Sequence, residues 1–208
     1  MKQKVIITIG RQFGSGGAEV GEKLAKALGI AYYDKALLVE AAKESGLCEE
    51  AFKKADEQAL SGLSYAIPMS FQYMTGYMPY VDILSKDDLF CMQSNTIRNL
   101  AEKGSCVLVG RCADYVLRDA PNCISFFILN KQEVRMQRVM NDFDLTEEKA
   151  SELILKTDKQ RAAYYDFYSN KEWGKASSYN YCLDVSVLGV DETVAMMVAL
   201  VERFINRD

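Results

Sequence analysis

The stretch VIITIGRQFGSGGAEVGEKLAKALGIAYYD, residues 5–34, decides how the fold of this chain is interpreted. Its first residues, Val5–Ile9, are apolar and mostly β-branched, which predicts a short buried strand. From Val20 to Leu28 the apolar residues recur at helical spacing, and Gly29 is suited to end that helix. A glycine cluster at 14–17 joins the two elements. The pattern therefore predicts a strand, a tight glycine turn and a helix.

Such a turn presents free backbone N–H groups and the positive end of a helix dipole to one point, which favours an anion such as phosphate. The dinucleotide pattern GxGxxG fits poorly, because Glu19 stands where the third glycine should be. The pattern GxxxxGK[ST] begins at Gly10, but Gly17 fills its lysine position and Ala18 its hydroxyl position. One extra residue also precedes the Gly-Ser-Gly turn. A plain tight turn without a ligand is the alternative interpretation.

Composition excludes several classes of function. The 208 residues include no histidine, which removes histidine general bases and histidine-ligated metals. The net charge of −4 argues against a broad surface for nucleic acid or an anionic membrane. The six cysteines form no CxxC pair, so we expect reduced thiols and a cytoplasmic protein. No apolar run approaches the length of a membrane span.

The rest of the chain alternates short apolar strands with helical patterns, which indicates α/β layering around a parallel sheet. We expect one domain, residues 1–208, without internal repeats. The further predicted strands are 30–33, 105–110, 123–129 and 181–186. The predicted helices are 35–45, 49–60, 88–103, 131–141, one capped by Thr146, and 192–205.

Residues 61–85, SGLSYAIPMSFQYMTGYMPYVDILS, are rich in methionine and aromatic side chains and contain no basic residue. One interpretation is a layer of loops and short helices packed on the domain. The other is a homodimer surface or a substrate flap, since adaptable methionine and aromatic surfaces recur at interfaces. A second aromatic group, from Tyr164 to Trp173, is expected either to pack on the body of the domain or to stack on a base.

Five blocks in order resemble the cytidylate-kinase-like family, a branch of the P-loop nucleoside monophosphate kinases. The blocks are ITIGRQFGSGGAEVGEKLAKALGIAYYDKALL (8–39), CVLVGRCADYVL (106–117), DAPNCISFFILNKQEVRMQRVM (119–140), TDKQRAAYYDFYSNKEWG (157–174) and YCLDVSVLGVDETV (181–194). The resemblance implies a three-layer P-loop kinase fold with a five-stranded parallel sheet flanked by helices. It further implies a helical acceptor-binding region near 35–104 and a lid near 141–175.

The same resemblance suggests where the site residues lie. The donor phosphates would be bound by the loop residues Gly10, Arg11, Gly14, Ser15, Gly16 and Gly17. Arg11 would supply the charge of the missing lysine, unless it pairs with a carboxylate such as Asp34 or Glu19. The acceptor would contact Asp34, Arg111 and Arg135. Arg11, Arg138, Asp158 and Arg161 would act during transfer, the last three from the lid side of the cleft.

The resemblance implies ATP and Mg²⁺ as ligands, together with a small acceptor such as CMP or a related nucleoside monophosphate. The usual magnesium ligands are absent, because Ala18 lacks a hydroxyl and Val109 stands where an acid is common. Ser15, Asp34 and Asp114 are the remaining candidates. We expect a kinase, with two alternatives: a nucleotide-binding regulatory protein without turnover, or an oligomeric interaction module with a vestigial cleft.

Overall fold

The computed structural model describes residues 4–34 and 86–207. The chain divides into two compact units, residues 1–34 with 100–208, and residues 35–99. The first unit holds the sheet and is treated below. Of the second unit, the structure describes only the part that belongs to one long helix. The helices predicted at 35–45 and 49–60, and the segment 61–85, lie outside the described residues.

Five parallel strands form the sheet in the order β2-β3-β1-β4-β5. The strands are β1 (Ile6–Arg11), β2 (Ala31–Tyr33), β3 (Cys106–Val109), β4 (Cys123–Leu129) and β5 (Tyr181–Asp184). The helices are α1 (Gly17–Leu28), α2 (Lys86–Lys103), α3 (Ala113–Val116), α4 (Gln132–Phe143), α5 (Glu147–Ser169) and α6 (Val185–Ile205), with a 3₁₀ turn at Ala176–Ser178. The five-stranded parallel sheet flanked by helices is the architecture that the sequence predicts.

The main core lies between the sheet and the helices α1 and α6. Alternate residues of each strand point to the same face, so Ile7 and Ile9 of β1 join Phe126 and Ile128 of β4 there. Helix α6 covers them with side chains such as Met197, which is fully buried. The residues between them are buried as well, which explains why these strands read as continuous apolar runs.

The largest difference from the sequence-based element boundaries is at the start of helix α6, while most other boundaries agree to within one or two residues. Helix α6 begins at Val185, seven residues before the predicted start, because the Asp184 side chain accepts a hydrogen bond from Ser186 N at 2.8 Å and caps it. Gly189, with φ 78°, breaks the helix into two parts. Thr146 is the N-cap residue of α5 as expected, but its hydroxyl makes no capping hydrogen bond.

The parallel arrangement brings the carboxyl ends of β1 and β3 to one edge of the sheet. Gly110 N donates to Ile9 O at 2.9 Å, so the turn after β3 begins directly beside the loop after β1. Ligands of open α/β sheets bind at this edge, where neighbouring connections run to opposite faces. In the part of the chain that the structure describes, no helix is long and apolar enough to cross a membrane.

Candidate functional site

The loop between β1 and α1 is an open turn with unused backbone donors. Gly14 and Gly16 have φ of 74° and 84°, left-handed values that glycine adopts without a steric penalty. The buried Ser15 hydroxyl stays within the turn, donating to Gln12 O at 2.8 Å and accepting from Gly17 N at 3.3 Å. Among the described residues, nothing accepts a hydrogen bond from the amides of Gly14, Gly16 or Ala18. Three donors are therefore available to an anion.

Arg11 occupies the space that a side chain at position 17 would need. A Cβ placed on Gly17 would lie 2.5 Å from Arg11 Cβ and 3.0 Å from Arg11 Cγ. The guanidinium reaches across to the turn after β3, where a Cβ on Gly110 would collide with Arg11 Nη1. The Arg11 side chain therefore lies against the start of α1, and a side chain at position 17 would collide with it.

Three guanidiniums gather around this loop. Burial, followed by the charge of Arg111, lowers the pKa of Arg11 to about 10. Burial also lowers the pKa of Arg111 and takes that of Arg161 well below its ordinary value, with Arg11 the next cause for Arg161. All three cations are thus partly desolvated and repel one another. Such a cluster is favourable when an anion is bound.

The described carboxylates near this cluster do not match its charge. The negative charge of Asp34 raises the pKa of Arg11, and that of Asp158 raises the pKa of Arg161. Asp158 is already paired with a fourth guanidinium, that of Arg135. Two carboxylates therefore face four guanidiniums. The excess of positive charge at the carboxyl edge of the sheet suits an oxyanion with more than one negative charge.

Arg161 and Arg111 have identifiable protein partners. Arg161 Nη1 donates to Arg11 O at 2.9 Å, so the two arginines are held side by side. Arg111 has a φ of 58°, and its Cζ lies 5.9 Å from the Tyr164 ring centre. A hydrogen bond to the Tyr164 hydroxyl supports the charge of Arg111. The structure thus brings the sequence-predicted Arg11, Arg111 and Arg161 together at one edge.

Arg135 and Asp158 lie beside the loop and bind its backbone. They form an ion pair in which the Arg135 side chain is 8% exposed. Arg135 Nε donates to Phe13 O at 2.8 Å, and Phe13 N donates to Asp158 Oδ1 at 2.8 Å. These contacts favour a role in holding the loop. The acceptor-binding role expected for Arg135 and the transfer role expected for Asp158 stay predictions.

Arg138 flanks the loop on the helix α1 side. Its Nη2 lies 2.5 Å from Glu19 Oε2, and its Nε lies 3.7 Å from Asp142. Glu19 also contacts Lys23 at 3.1 Å, and the hydrogen bond from Arg138 is the largest cause of its lowered pKa. The acid in the first turn of α1 is thus neutralised by two cations. Arg138 is paired with carboxylates in this structure, and its expected role in phosphoryl transfer stays a prediction.

Of the magnesium candidates, Ser15 is already engaged within the turn, while Asp34 and Asp114 stay predictions. Ser15 Oγ already makes two hydrogen bonds inside the turn, and Ala18 offers no hydroxyl. Within the described residues, no three side chains of the types His, Cys, Asp and Glu come together as a metal site. The protein residues of this loop therefore do not match the magnesium ligands expected of a P-loop.

Asp114 of helix α3 forms a largely buried network with Tyr165 and Tyr179. Tyr165 Oη donates to Asp114 Oδ2 at 2.7 Å, and the Tyr165 and Tyr179 rings stack at 5.7 Å. Burial is the main cause of the raised pKa of Asp114. Trp173 meets Phe127 edge-on at 5.2 Å, so both Tyr165 and Trp173 pack on the body of the domain, as one of the two interpretations expected.

Sequence reasoning missed two features of this region, the role of Phe13 and the pairing of Asp114 with Tyr165. A large aromatic residue inside a glycine-rich loop was an available signal for Phe13, because such a side chain needs a place to be buried. No sequence pattern pointed to the pairing of Asp114 with Tyr165, since the two residues lie 51 positions apart in the chain.

The sheet order β2-β3-β1-β4-β5, with a glycine loop after its central strand, is the fold of a P-loop kinase, and the arginines described above gather at that loop. A profile of the Cytidylate kinase-like family matches residues 6–187. The chain belongs to that family, and kinase-type chemistry on a nucleotide is what the family implies.

Solved structures agree with the fold. An uncharacterized protein from Eubacterium ventriosum ATCC 27560 is 33% identical, with a TM-score of 0.72, covering 96% of this chain and 99% of that chain. Shikimate kinase from Bacteroides thetaiotaomicron is 13% identical, with a TM-score of 0.56 and 96% and 99% of the two chains covered. A gluconokinase from Sinorhizobium meliloti 1021 is 15% identical, with a TM-score of 0.52 and 97% and 94% covered. The last two show the fold alone. No curated protein sequence matches the chain.

Proposed function

We propose that this protein is a kinase that transfers the γ-phosphate of ATP to a small acceptor, CMP or a related nucleoside monophosphate. The observation that carries the proposal is the position of Arg11, whose Cβ and Cγ lie where a side chain at position 17 would begin and whose guanidinium reaches the turn after β3. A positive charge beside unused loop amides is what the donor phosphates require.

The donor end of the site uses the loop. The amides of Gly14, Gly16 and Ala18 donate to the β-phosphate oxygens, and the Arg11 guanidinium adds a planar, charged donor pair. Arginine is an effective replacement for lysine here because its pKa, about 10 in this site, keeps it protonated at neutral pH. Its buried position also means that little reorganisation is needed when negative charge develops.

The acceptor end uses the turn after β3. Arg111 is partly desolvated and extends from a left-handed backbone conformation directly after Gly110. An acceptor phosphate bound there would lie across from the donor, because Arg11 spans the space between the two turns. Arg161, held on Arg11 O, would cover the transferring group and offset its charge.

Magnesium enters the proposal only as an ion carried by the nucleotide. The loop lacks the hydroxyl and the strand-end acid that normally bind it, and Ser15 is engaged within the turn. No step of the proposed reaction is assigned to a protein-bound metal. Binding, orientation and charge stabilisation by the arginines are the contributions of this chain.

A second candidate is a regulatory protein that binds nucleotide without turnover. The observation that favours it is the pair Ala18 and Val109, which leaves both usual magnesium positions without an oxygen ligand. This candidate shares the anion-binding loop with the first and differs only in the absence of catalysis.

The two candidates are separated by one experiment. ADP release is measured by a coupled assay with a panel of nucleoside monophosphates, with and without magnesium, alongside a thermal-shift titration of ATP. Acceptor-dependent ADP release supports the kinase, with CMP expected to give the largest rate. ATP-dependent stabilisation without turnover supports the regulatory protein. A chain that shows neither would remove both proposals.

The proposal also includes a cytoplasmic location and a predicted homodimer. Cys91, Cys106, Cys112, Cys123 and Cys182 are free thiols, which supports a reducing compartment and hence the cytoplasm. The interaction-module alternative and the homodimer through 61–85 depend on a segment outside the described residues, and both stay predictions. Substitution of Tyr73, Met74 and Tyr77 followed by measurement of molar mass would test the dimer.

A further inference from the structure

Phe13 is a buried aromatic side chain inside the glycine-rich loop. It belongs to a small core separate from the one under the sheet, with Val139 of α4 and with Ala150 and Ile154 of α5. Its ring stacks on Phe143 at 5.9 Å between centres and 12° between planes. The Phe13 ring therefore points away from the loop and is buried against helices α4 and α5.

Both backbone polar groups of Phe13 are also bound by those helices. Phe13 N donates to Asp158 Oδ1, and Phe13 O accepts from Arg135 Nε, each at 2.8 Å. The second oxygen of Asp158 pairs with Arg135. The ion pair of Arg135 and Asp158 thus binds both the amide and the carbonyl of Phe13. The two side chains and the Phe13 backbone hold one another in place.

Adjacent contacts place the whole loop tightly against α4 and α5. A Cβ on Gly14 would lie 2.9 Å from both Arg135 O and a Val139 methyl carbon. Arg161 Cζ lies 5.5 Å from the Phe13 ring centre, while its Nη1 is bound to Arg11 O. Helix α5 therefore contacts the loop at Arg11 and Phe13, and helix α4 contacts it at Phe13 and Gly14.

We propose that Phe13 anchors the phosphate-binding loop to helices α4 and α5, and that Arg135 and Asp158 are positioning residues that hold the loop in its anion-binding conformation. The extra residue of this loop, relative to the common P-loop pattern, provides the length needed for Phe13 to leave the turn and enter the second core. The donor loop and the Asp158–Arg161 segment then behave as one rigid unit, so this segment does not swing away from the loop between turnovers. The inference rests on the proposed function for its effect on ATP.

The first test measures the loop itself and needs no activity. Hydrogen exchange is followed by mass spectrometry on peptides covering 10–17 in the wild type, Phe13→Ala, Asp158→Asn and Asp158→Ala. Because an asparagine oxygen can still accept from Phe13 N, exchange of the loop should be faster in D158A than in D158N, and slowest in the wild type. Peptides from β4 should be unchanged. Phe167→Ala is the matched control, since Phe167 is on the same helix, is 72% exposed and has no contact with Phe13.

The second test measures binding and turnover. Titration with inorganic tripolyphosphate and with ATP should show an affinity about tenfold weaker in Phe13→Leu and D158N, with F167A within about twofold of the wild type. In turnover, the KM for ATP should rise in the loop variants more than the KM for the acceptor. A variant that only lowers the melting temperature and leaves both KM values unchanged would show that Phe13 is merely a packing residue and would overturn the proposal.

The outcomes separate this inference from the proposed function. If the wild type binds neither tripolyphosphate nor ATP, the proposed function fails, while the exchange experiment still decides whether the helices hold the loop. If ATP binds and the graded exchange is absent, the anchor is wrong and the function stands. Should Phe13→Ala fail to fold, Phe13→Leu and D158N carry the exchange test, because both keep the site filled.

Discussion

Arg11 Cβ lies 2.5 Å from the point where a residue other than glycine would place its Cβ at position 17. Real Cβ atoms do not approach so closely, so an arginine at 11 and a side chain at 17 cannot both occupy this loop. The absence of a side chain at position 17 therefore has a structural reason, which is the close approach of Arg11 to the start of α1.

Gly17→Ala should destabilise the protein by about 1–3 kcal/mol, the usual cost of overpacking a well-filled site. The free energy of unfolding in urea measures this effect. Gly17→Lys should in addition lose ATP-dependent stabilisation, because it displaces Arg11. In the double variant Arg11→Gly with Gly17→Lys, which removes the obstructing atoms, part of that stabilisation should return. Equal stability of Gly17→Ala and the wild type would contradict the proposed exclusion.

Arg11→Ala should abolish the thermal stabilisation by ATP and leave the fold intact. Its Cβ and Cγ lie against Gly17 of the loop, and its guanidinium reaches the turn after β3. At ATP a hundredfold above the wild-type Kd, ligand binding stabilises the native state by about 2.7 kcal/mol, so its loss is measurable as a shift in Tm. Arg98→Ala, on the exposed surface of α2, is the matched control. ATP affinity that is unchanged in Arg11→Ala would refute the role of Arg11.

Arg111→Ala should weaken acceptor binding by about 10–100-fold and leave donor binding within about twofold, as expected for loss of one charge-assisted contact. The left-handed backbone at Arg111 is no more strained for alanine than for arginine, so the fold should persist. Isothermal titration with ATP and with CMP separates the two sites. Equal effects on both ligands, or none on either, would remove Arg111 from the acceptor site.

Asp114→Asn should reduce the dependence of stability on pH. Burial raises the pKa of Asp114 in the native state. As pH rises from about 4, the carboxyl therefore loses its proton in the unfolded chain before it does so in the native protein. The stability of the native state at low pH is then partly lost as the pH rises to the native pKa. Asparagine cannot ionise but can still accept from Tyr165 Oη. The stability of D114N relative to the wild type should therefore rise between pH 4 and pH 7, measured by urea unfolding.

Tyr165→Phe is the companion variant for that network. It removes the hydrogen bond to Asp114 while keeping the ring stack on Tyr179, and should cost about 1–3 kcal/mol at pH 7, because a largely buried carboxylate loses its donor. A combined variant, D114N with Tyr165→Phe, should be less destabilised than the sum of the two effects. Strict additivity would show that the two side chains do not act together.

Much of the fold was predictable from local patterns. The strand at 123–129 was predicted with the bounds that the structure has, because its seven residues are nearly all apolar and lie between turn residues. The start of α6 was predicted too late, because Gly189 interrupts the apolar periodicity and conceals the first helical turn capped by Asp184. Periodicity detects continuous elements and misses those that a left-handed residue divides.

Some features of the candidate site were predictable from the sequence and others were not. That Arg11 could replace the lysine was a reasonable expectation from its place one residue after Gly10, and its contacts with the spaces at Gly17 and Gly110 support that expectation. The partners of Arg135 and Asp158 were not predictable, since they depend on Phe13, more than a hundred residues earlier in the chain. The family resemblance had suggested that these two side chains lie in the cleft.

By itself, the sequence determined the order of strands and helices, the glycine turn after the first strand and the absence of the usual lysine, because these follow from local apolar periodicity and from the backbone freedom of glycine. Only the tertiary structure decided which arginines gather at the edge of the sheet and which one binds the backbone of the loop. Arg11, Arg111 and Arg161 meet, and Arg135 turns to Phe13, because parallel strands bring distant turns to one edge of the sheet and packing of α4 and α5 selects the partner of each side chain.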